Sequence, residues 1–119
     1  MSFYELRVWQ QSMKLTSEIY RSTTAFPKHE LCGLSQQMRR AAVAVPSNIA
    51  EGKGHRSDRE LSHVLFHARG SLFELRTRVM ISRELGYLTA DESKRVLDLV
   101  DAVGRSLNAL INSVYEKAS

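Results

Sequence analysis

The sequence predicts an all-α protein, an antiparallel up-down four-helix bundle. Apolar residues recur every three to four positions along four segments, the spacing of helices that bury one side. Short connections join these segments, as they do in bundles whose consecutive helices run antiparallel. No stretch alternates apolar and polar residues convincingly, so we expect no strands. A chain of 119 residues suits one domain, and we predict a single domain over residues 1–119.

The first predicted helix extends from Glu5 to about Thr24. It ends before Pro27, because the residue preceding a proline disfavours helical backbone angles. Its apolar stripe is expected to contain Leu6, Trp9, Met13 and Tyr20, with Val8, Leu15 and Ile19 beside it.

The second predicted helix extends from Leu34 to Glu51 and contains Pro46. A proline cannot donate to the carbonyl four residues earlier, here that of Ala42, so we predict a kink at Pro46. Asn48 is placed to form a local hydrogen bond near that kink. The predicted buried stripe consists of Leu34, Met38, Ala41, Val45 and Ile49.

Two capping boxes, Ser57 with Glu60 and Thr89 with Glu92, mark the starts of the third and fourth helices. Gly86 ends the third helix. Both helices carry apolar residues at alternating spacings of four and three, which suits packing along nearly parallel axes. These residues are Leu61, Leu65, Ala68, Leu72, Leu75 and Val79 in the third helix, and Val96, Val100, Val103, Leu107, Leu110 and Val114 in the fourth.

A second apolar stripe on the third helix consists of Phe66, Phe73 and Met80, which recur every seven residues. It lies roughly 100° or more around the helix from the main stripe. Two interpretations are open. The stripe is an interface with another copy of the chain, to which Gly70 would contribute, or it belongs to a wide core side packed under the second or fourth helix.

Charge and composition narrow the functional classes. The net charge is +4, and residues 34–88 contain nine Lys or Arg against five Asp or Glu. This excess permits contact with nucleic acid or another acidic partner, and many ordinary solvated surfaces share it. The longest apolar run, residues 41–45, is too short to span a membrane, and the N-terminus does not resemble a signal peptide. We therefore expect a cytoplasmic protein without membrane contact.

The single cysteine, Cys32, excludes an internal disulfide and any cysteine-rich zinc site. Free cysteines are often small buried residues, and we expect this thiol to be buried.

Basic residues surround the glycine-containing loop between the second and third helices. That loop leads into a helix N-terminus, which favours anions, although it lacks the spacing of a nucleotide-hydrolysing phosphate loop. A glycine turn with solvated charges explains the loop equally well, and the arginines of the third helix also suit the border of an interface. The candidate nucleic-acid-binding residues are Arg39, Arg40, Lys53, His55, Arg56, Arg69 and Arg76.

We expect no metal, no cofactor and no catalytic residues. Glu60 and His63 form one Glu-x-x-His element of the di-iron bundles, but those sites need a second copy and two further inward glutamates, which the sequence does not offer. His63 and His67 have the spacing of paired zinc-binding histidines without the glutamate of the HExxH proteases. Exposed histidines on a helix are therefore the preferred interpretation.

The run QMRRAAVAVPSNIAEG at residues 37–52 accompanies FYELRVWQ at 3–10 and GSLFEL at 70–75. Together these segments closely resemble the bacterial four-helix-bundle proteins encoded in 23S rRNA intervening sequences, and the resemblance covers nearly the whole chain. It implies a cytoplasmic bundle that assembles as a homo-oligomer, with a pentamer as the expected form. The family is also similar to accessory proteins of diversity-generating retroelements, which bind nucleic acid and a reverse transcriptase through basic surfaces. The resemblance supplies no catalytic residues.

These observations predict a non-enzymatic, oligomeric bundle that binds RNA or another nucleic acid through a basic surface. The alternative is a protein–protein interaction scaffold that binds no nucleic acid. A third class, a di-metal carboxylate enzyme, is disfavoured because its ligand set is incomplete.

Overall fold

The computed structural model describes residues 3–54 and 57–118, and within these ranges the chain is helical and contains no strand. Short 3₁₀ turns at Phe3–Glu5 and Lys28–Glu30 precede the first and second long helices. The four α-helices are α1 (Arg7–Thr23), α2 (Leu34–Lys53), α3 (Asp58–Glu84) and α4 (Ala90–Ala118). The predicted all-α four-helix bundle is confirmed.

Each helix packs against two others. α1 contacts α2 and α4, and α3 contacts the same two helices, whereas within the described ranges the diagonal helices are not neighbours. The bundle measures 45 × 24 × 22 Å. Because the helices neighbour one another in the order α1, α2, α3, α4 around the core, the α1–α2 side and the α3–α4 side face in opposite directions.

The buried stripes predicted for α2, α3 and α4 line one shared hydrophobic core. Met38, Leu65 and Leu107 are completely buried at its centre. Leu61 and Leu110 are only half-buried. In α4, the residue after Leu110, Ile111, is buried instead. Near the end of the helix, the side that faces the core is therefore shifted by one residue from the predicted stripe.

The predicted stripe of α1 is wrong at Met13 and Tyr20, which are both 44% exposed. Small hydroxyl residues, Ser12 and Thr23, occupy part of the core side instead. Their hydroxyls donate to carbonyls of their own helix at 2.8 and 2.7 Å, so burial leaves no unsatisfied donor. The buried residues of α1 are Val8, Ser12, Leu15, Ile19 and Thr23.

Helix α1 also begins at Arg7 instead of the predicted Glu5, because Leu6 has an extended backbone. The 3₁₀ turn before Leu6 brings the ring of Phe3 to 5.4 Å from that of Trp9 in an edge-to-face contact. This aromatic contact covers the start of α1.

Pro46 is buried inside α2, as predicted, and the carbonyl that it deprives of a donor has a partner on another helix. The hydroxyl of Thr16 in α1 lies 3.1 Å from the Ala42 oxygen and 2.9 Å from the Ser12 oxygen. The Asn48 amide donates to the Ala44 carbonyl at 2.7 Å, which is the predicted local bond. The proline therefore gives α1 a polar attachment point on α2.

At the end of α2, the absence of a side chain on Gly52 allows close contact with α3. A Cβ atom added to Gly52 would lie 2.6 Å from Cδ1 of Leu61. A larger residue at this position would require the half-buried Leu61 side chain to move.

The predicted capping box at Thr89 is complete, and at Ser57 the serine half of the predicted box is formed. The Ser57 hydroxyl accepts from the backbone N–H of Glu60 at 3.2 Å. Thr89 and Glu92 exchange two bonds of 3.0 Å, and the bond from the Thr89 N–H lowers the pKa of the Glu92 carboxyl. Gly86, with φ of 78°, adopts the left-handed conformation that ends α3.

Side chains from the α1–α2 and α3–α4 connections meet at one end of the bundle, and we call this contact the loop clasp, formed by Phe26, Glu30 and Tyr87. Glu30 accepts from the Leu34 N–H at 3.2 Å and from the Tyr87 hydroxyl at 3.0 Å. Both bonds lower the pKa of the Glu30 carboxyl, the bond from Leu34 more than the bond from Tyr87. The Glu30 carboxylate in turn raises the pKa of the Tyr87 hydroxyl. The ring of Phe26 lies 5.3 Å from that of Tyr87.

The prediction that Cys32 is buried is wrong, because its side chain is exposed. Cys32 lies in the turn between the second 3₁₀ turn and α2, next to the half-buried Gly33. Connections of this kind run over the surface, and no neighbouring helix covers the thiol.

Replacing Thr16 with valine removes the hydroxyl whose single proton is shared between the Ser12 and Ala42 carbonyls. We expect the free energy of unfolding to fall by about 1–3 kcal/mol, the cost of an unsatisfied buried acceptor. Thr77→Val is the matched control, since Thr77 is exposed and its hydroxyl donates within its own helix at 3.1 Å. Urea denaturation at fixed protein concentration measures both, and equal losses for the two variants would contradict the role of Thr16.

Replacing Glu30 with glutamine tests the charge in the loop clasp. Because the folded-state pKa of Glu30 lies below its ordinary value of 4.5, its charge stabilises the fold above that pH. This contribution disappears as the pH falls through the folded value. The melting temperatures of wild type and Glu30→Gln should therefore differ at about pH 7 and converge as the pH falls below the folded-state pKa of Glu30. Glu84→Gln is the control, and a pH-independent difference at Glu30 would contradict the assignment.

Candidate functional site

Two of the predicted basic residues lie on the α1–α2 side of the bundle. Arg39 and Arg40 line a groove of about 530 Å³ between α1 and α2. We call this region the α2 arginine surface. Its lining residues are Tyr20, Leu31, Gln36, Arg39, Arg40, Val43 and Ala44.

The guanidinium group of Arg39 is held in one orientation by α1. Its Nε donates to the Thr23 hydroxyl at 2.8 Å, and its Cζ lies 4.8 Å from the centre of the Tyr20 ring. Thr23 in turn donates to the Ile19 carbonyl at 2.7 Å. Within the described ranges the two terminal nitrogens of Arg39 have no hydrogen-bond partner, so they remain available to an external acceptor.

Arg40 is exposed and forms no ion pair with any described residue. No acidic side chain lines the α1–α2 groove. In the adjoining groove between α2 and α3, Glu74 is already paired with Arg78 at 3.0 Å. The α2 arginine surface therefore carries positive charge that its own chain does not neutralise.

The remaining residues around the α2–α3 loop do not extend this surface continuously. Lys53 is the last residue of α2 and lies 14 positions after Arg39, which corresponds to about 21 Å along the helix axis. It is exposed. His55 and Arg56 lie outside the described residues.

Arg69 and Arg76 lie on the opposite side of the bundle, where α3 meets α4. Arg69 stacks over the Phe66 ring at 4.8 Å and donates to Asn108 at 3.3 Å. Arg76 forms an ion pair with Asp101. Both guanidinium groups are engaged by their own chain, and neither lies with Arg39. Of the seven basic residues selected from the sequence, the five that the structure describes therefore do not form one surface within a single chain.

The second stripe of α3 is exposed. Phe73 is 60% and Met80 is 54% accessible, and Phe66 is partly accessible with its ring 6.4 Å from that of Tyr115. We call Phe66, Phe73 and Met80 the α3 apolar surface. Phe73 and Met80 therefore do not pack under α2 or α4, whereas Phe66 retains an edge contact with Tyr115 of α4.

Gly70 lies on the same outer side of α3, and no atom lies within 4 Å of a Cβ placed on it. A glycine inside a helix costs roughly 0.5–1 kcal/mol relative to alanine. No described residue packs closely enough on Gly70 to require a glycine there. The close approach of another molecule to this side of α3 would be one reason to retain it.

Within the described residues, no three or more His, Cys, Asp or Glu side chains are grouped so as to hold a metal ion. The described helices also include none that is long and apolar enough to cross a membrane.

Two supporting residues, Tyr20 and Thr23, were not identified from the sequence. They lie 19 and 16 positions before Arg39 and belong to a different helix. The exposure of Tyr20, which the α1 pattern predicted incorrectly, is what allows it to stack beneath Arg39. If the core side of α1 had been assigned correctly from the sequence, Tyr20 would have been recognised as an aromatic residue on the exposed side of the helix. That position would have indicated a role for Tyr20 outside the core.

The fold and these surfaces define a class of small helical bundle with an arginine-lined groove on one side and an apolar surface on the other. The chain belongs to the family of 23S rRNA-intervening sequence proteins, which it matches over residues 4–109.

Among solved structures, the chain resembles a protein of unknown function of the S23 ribosomal protein family from Bacteroides thetaiotaomicron. The TM-score is 0.79 and the sequence identity 17%, and the match covers 87% of this chain and 97% of the other. This likeness supports the fold alone. No curated protein matches the chain.

Proposed function

We propose that the protein is a non-enzymatic, oligomeric bundle that binds RNA through the α2 arginine surface. The observation that carries the proposal is the state of Arg39, oriented by Thr23 and Tyr20 while its terminal nitrogens point to no described partner. A guanidinium held in this way loses little conformational entropy when it binds a phosphate.

Electrostatics favour phosphate as the ligand of this groove. Two adjacent arginines face a channel without an acidic side chain, and a nucleic-acid backbone presents a regular line of negative charges. The partly exposed ring of Tyr20 adds a flat surface next to them. Because these contacts address the backbone, the proposal assigns affinity to this surface and no base specificity. Arg69 and Arg76 have a secondary role, since binding would first have to displace their partners in the chain.

Self-association through the α3 apolar surface is the second part of the proposal. An exposed phenylalanine and methionine one heptad apart, next to an exposed glycine, suit contact with a second copy of the chain. The family resemblance makes a pentamer the expected form. Since this surface and the α2 arginine surface face opposite directions, an oligomer formed through α3 would leave the arginines accessible. Repetition of the groove would then increase affinity for long RNA through multivalency.

A protein-binding scaffold is the second candidate function. The observation that favours it is the apolar content of the same groove, where Leu31 and Val43 are exposed beside the arginines. An acidic polypeptide with apolar side chains would satisfy both features. A partner that copurifies after nuclease treatment, from protein that binds no RNA at low salt, would favour this candidate.

We expect the affinity for a fluorescently labelled RNA hairpin, measured by anisotropy, to decrease steeply with salt. In Arg39→Ala/Arg40→Ala, the slope of log K against log salt should be shallower by about 1.4–1.8, the contribution of two phosphate contacts. Lys94→Ala/Arg95→Ala is the matched control, because it removes the same charge from the groove between α1 and α4. Its slope should change little.

The double variant Arg69→Ala/Arg76→Ala tests the opposite, α3–α4 side of the bundle. It should change the salt slope of RNA binding less than Arg39→Ala/Arg40→Ala does. Equal effects of all three double variants would indicate a response to net charge alone. Absence of binding by the wild type at low ionic strength would reject the RNA proposal.

For self-association, we expect light scattering to give a mass of about five times the 13.5 kDa chain for the wild type. Met80→Glu should reduce that mass, since it places a charge in the α3 apolar surface. Met13→Glu is the matched control: Met13 has similar exposure, 44% against 54%, but lies on α1. A monomeric wild type would reject the oligomer, and dissociation caused by Met13→Glu alone would reject the α3 apolar surface as the interface.

A further inference from the structure

Two histidines on the outer side of α3 face each other. His63 and His67 are separated by one helical turn, and their Nε2 atoms lie 3.3 Å apart. The ring centres are 4.8 Å apart and the ring planes are inclined at 72°. Both side chains are exposed, and within the described residues neither ring has another hydrogen-bond partner.

This separation matches the requirement of a shared metal ion. Zinc binds imidazole nitrogen at about 2.0–2.1 Å, so two nitrogens on one tetrahedral zinc ion lie about 3.3 Å apart. The helix provides the spacing, because residues four positions apart lie above one another on the same side. The metal would take the place of the proton in the hydrogen bond between the two nitrogens, and both rings would turn their Nε2 atoms towards the ion.

We propose that His63 and His67 form a two-histidine chelate for a divalent transition metal ion of the zinc and copper type. Imidazole nitrogen suits these ions, whereas magnesium and calcium prefer oxygen ligands. The chain supplies two ligands, and water fills the remaining positions, which leaves the ion open to an additional external ligand. The site is separate from the α2 arginine surface, so it stands independently of RNA binding.

The charged residues nearest the pair along α3 are of both signs: the exposed Arg59 and Glu60 lie four and three positions before His63, and Arg69 lies two positions after His67. Arg69, the nearest arginine along the helix on the C-terminal side, is directed towards α4 by its contacts with Phe66 and Asn108. Its positive charge is therefore drawn away from the outer side of α3 on which the histidines lie.

Equilibrium dialysis of tag-free, chelator-treated full-length protein against Zn²⁺ tests the proposal. We expect one zinc ion per chain. Either His63→Gln or His67→Gln should weaken binding by about 100-fold, because chelation becomes attachment through a single ligand. Mg²⁺ at the same concentration should not bind. Glutamine is a good helix former, so circular dichroism should show unchanged helix content.

Two matched controls address other zinc ligands. His29→Gln removes an exposed histidine that has no second imidazole beside it, and Cys32→Ser removes the exposed thiol. Neither should change the affinity. Cu²⁺ electron paramagnetic resonance should show coupling to two imidazole nitrogens in the wild type and to one in each single variant. Wild-type zinc affinity in the His63→Gln/His67→Gln double variant, or no zinc binding by the wild type, would overturn the proposal.

Discussion

Helix α3 can bury only one of its two apolar sides inside this bundle, and the rest of the structure depends on which side that is. The stripe that includes Leu65 and Leu75 is enclosed between α2 and α4. Phe73 and Met80 are consequently left in water, although full burial of such a side chain contributes about 1.5–3 kcal/mol. The fold is therefore stabilised by one apolar side of α3 and leaves the other exposed on the surface of the chain.

Helix α1 contributes hydroxyl groups where an apolar residue would give more hydrophobic burial. Thr16 satisfies the carbonyl that Pro46 leaves free on α2, and Thr23 orients Arg39 on the same helix. These interactions link stability with the candidate function, since the helix that completes the backbone bonding of α2 also positions its arginine. A change in how α1 packs would disturb both.

The sequence predicted the elements that depend on local spacing. The capping boxes at Ser57 and Thr89 and the alternating stripes of α3 and α4 lie where the pattern placed them. It failed where an outcome depends on contacts between helices. Periodicity did not reveal that hydroxyls would replace Met13 and Tyr20 on the core side of α1. Positive charge alone grouped Arg39 on the second helix with Arg69 on the third, although the bundle separates them. The surface position of Cys32 likewise depends on what covers its turn.

The close approach at Gly52 links the permitted sequences of two helices. Because Cδ1 of Leu61 occupies the space that a Cβ at position 52 would need, a residue larger than glycine at position 52 requires the side chain at position 61 to move or to be shorter. Among naturally occurring variants of this bundle, alanine at position 52 is accommodated most easily beside a shorter side chain at position 61. Covariation between these positions would therefore report the α2–α3 spacing directly, and it would separate bundles that share this tight pairing from those with a wider one.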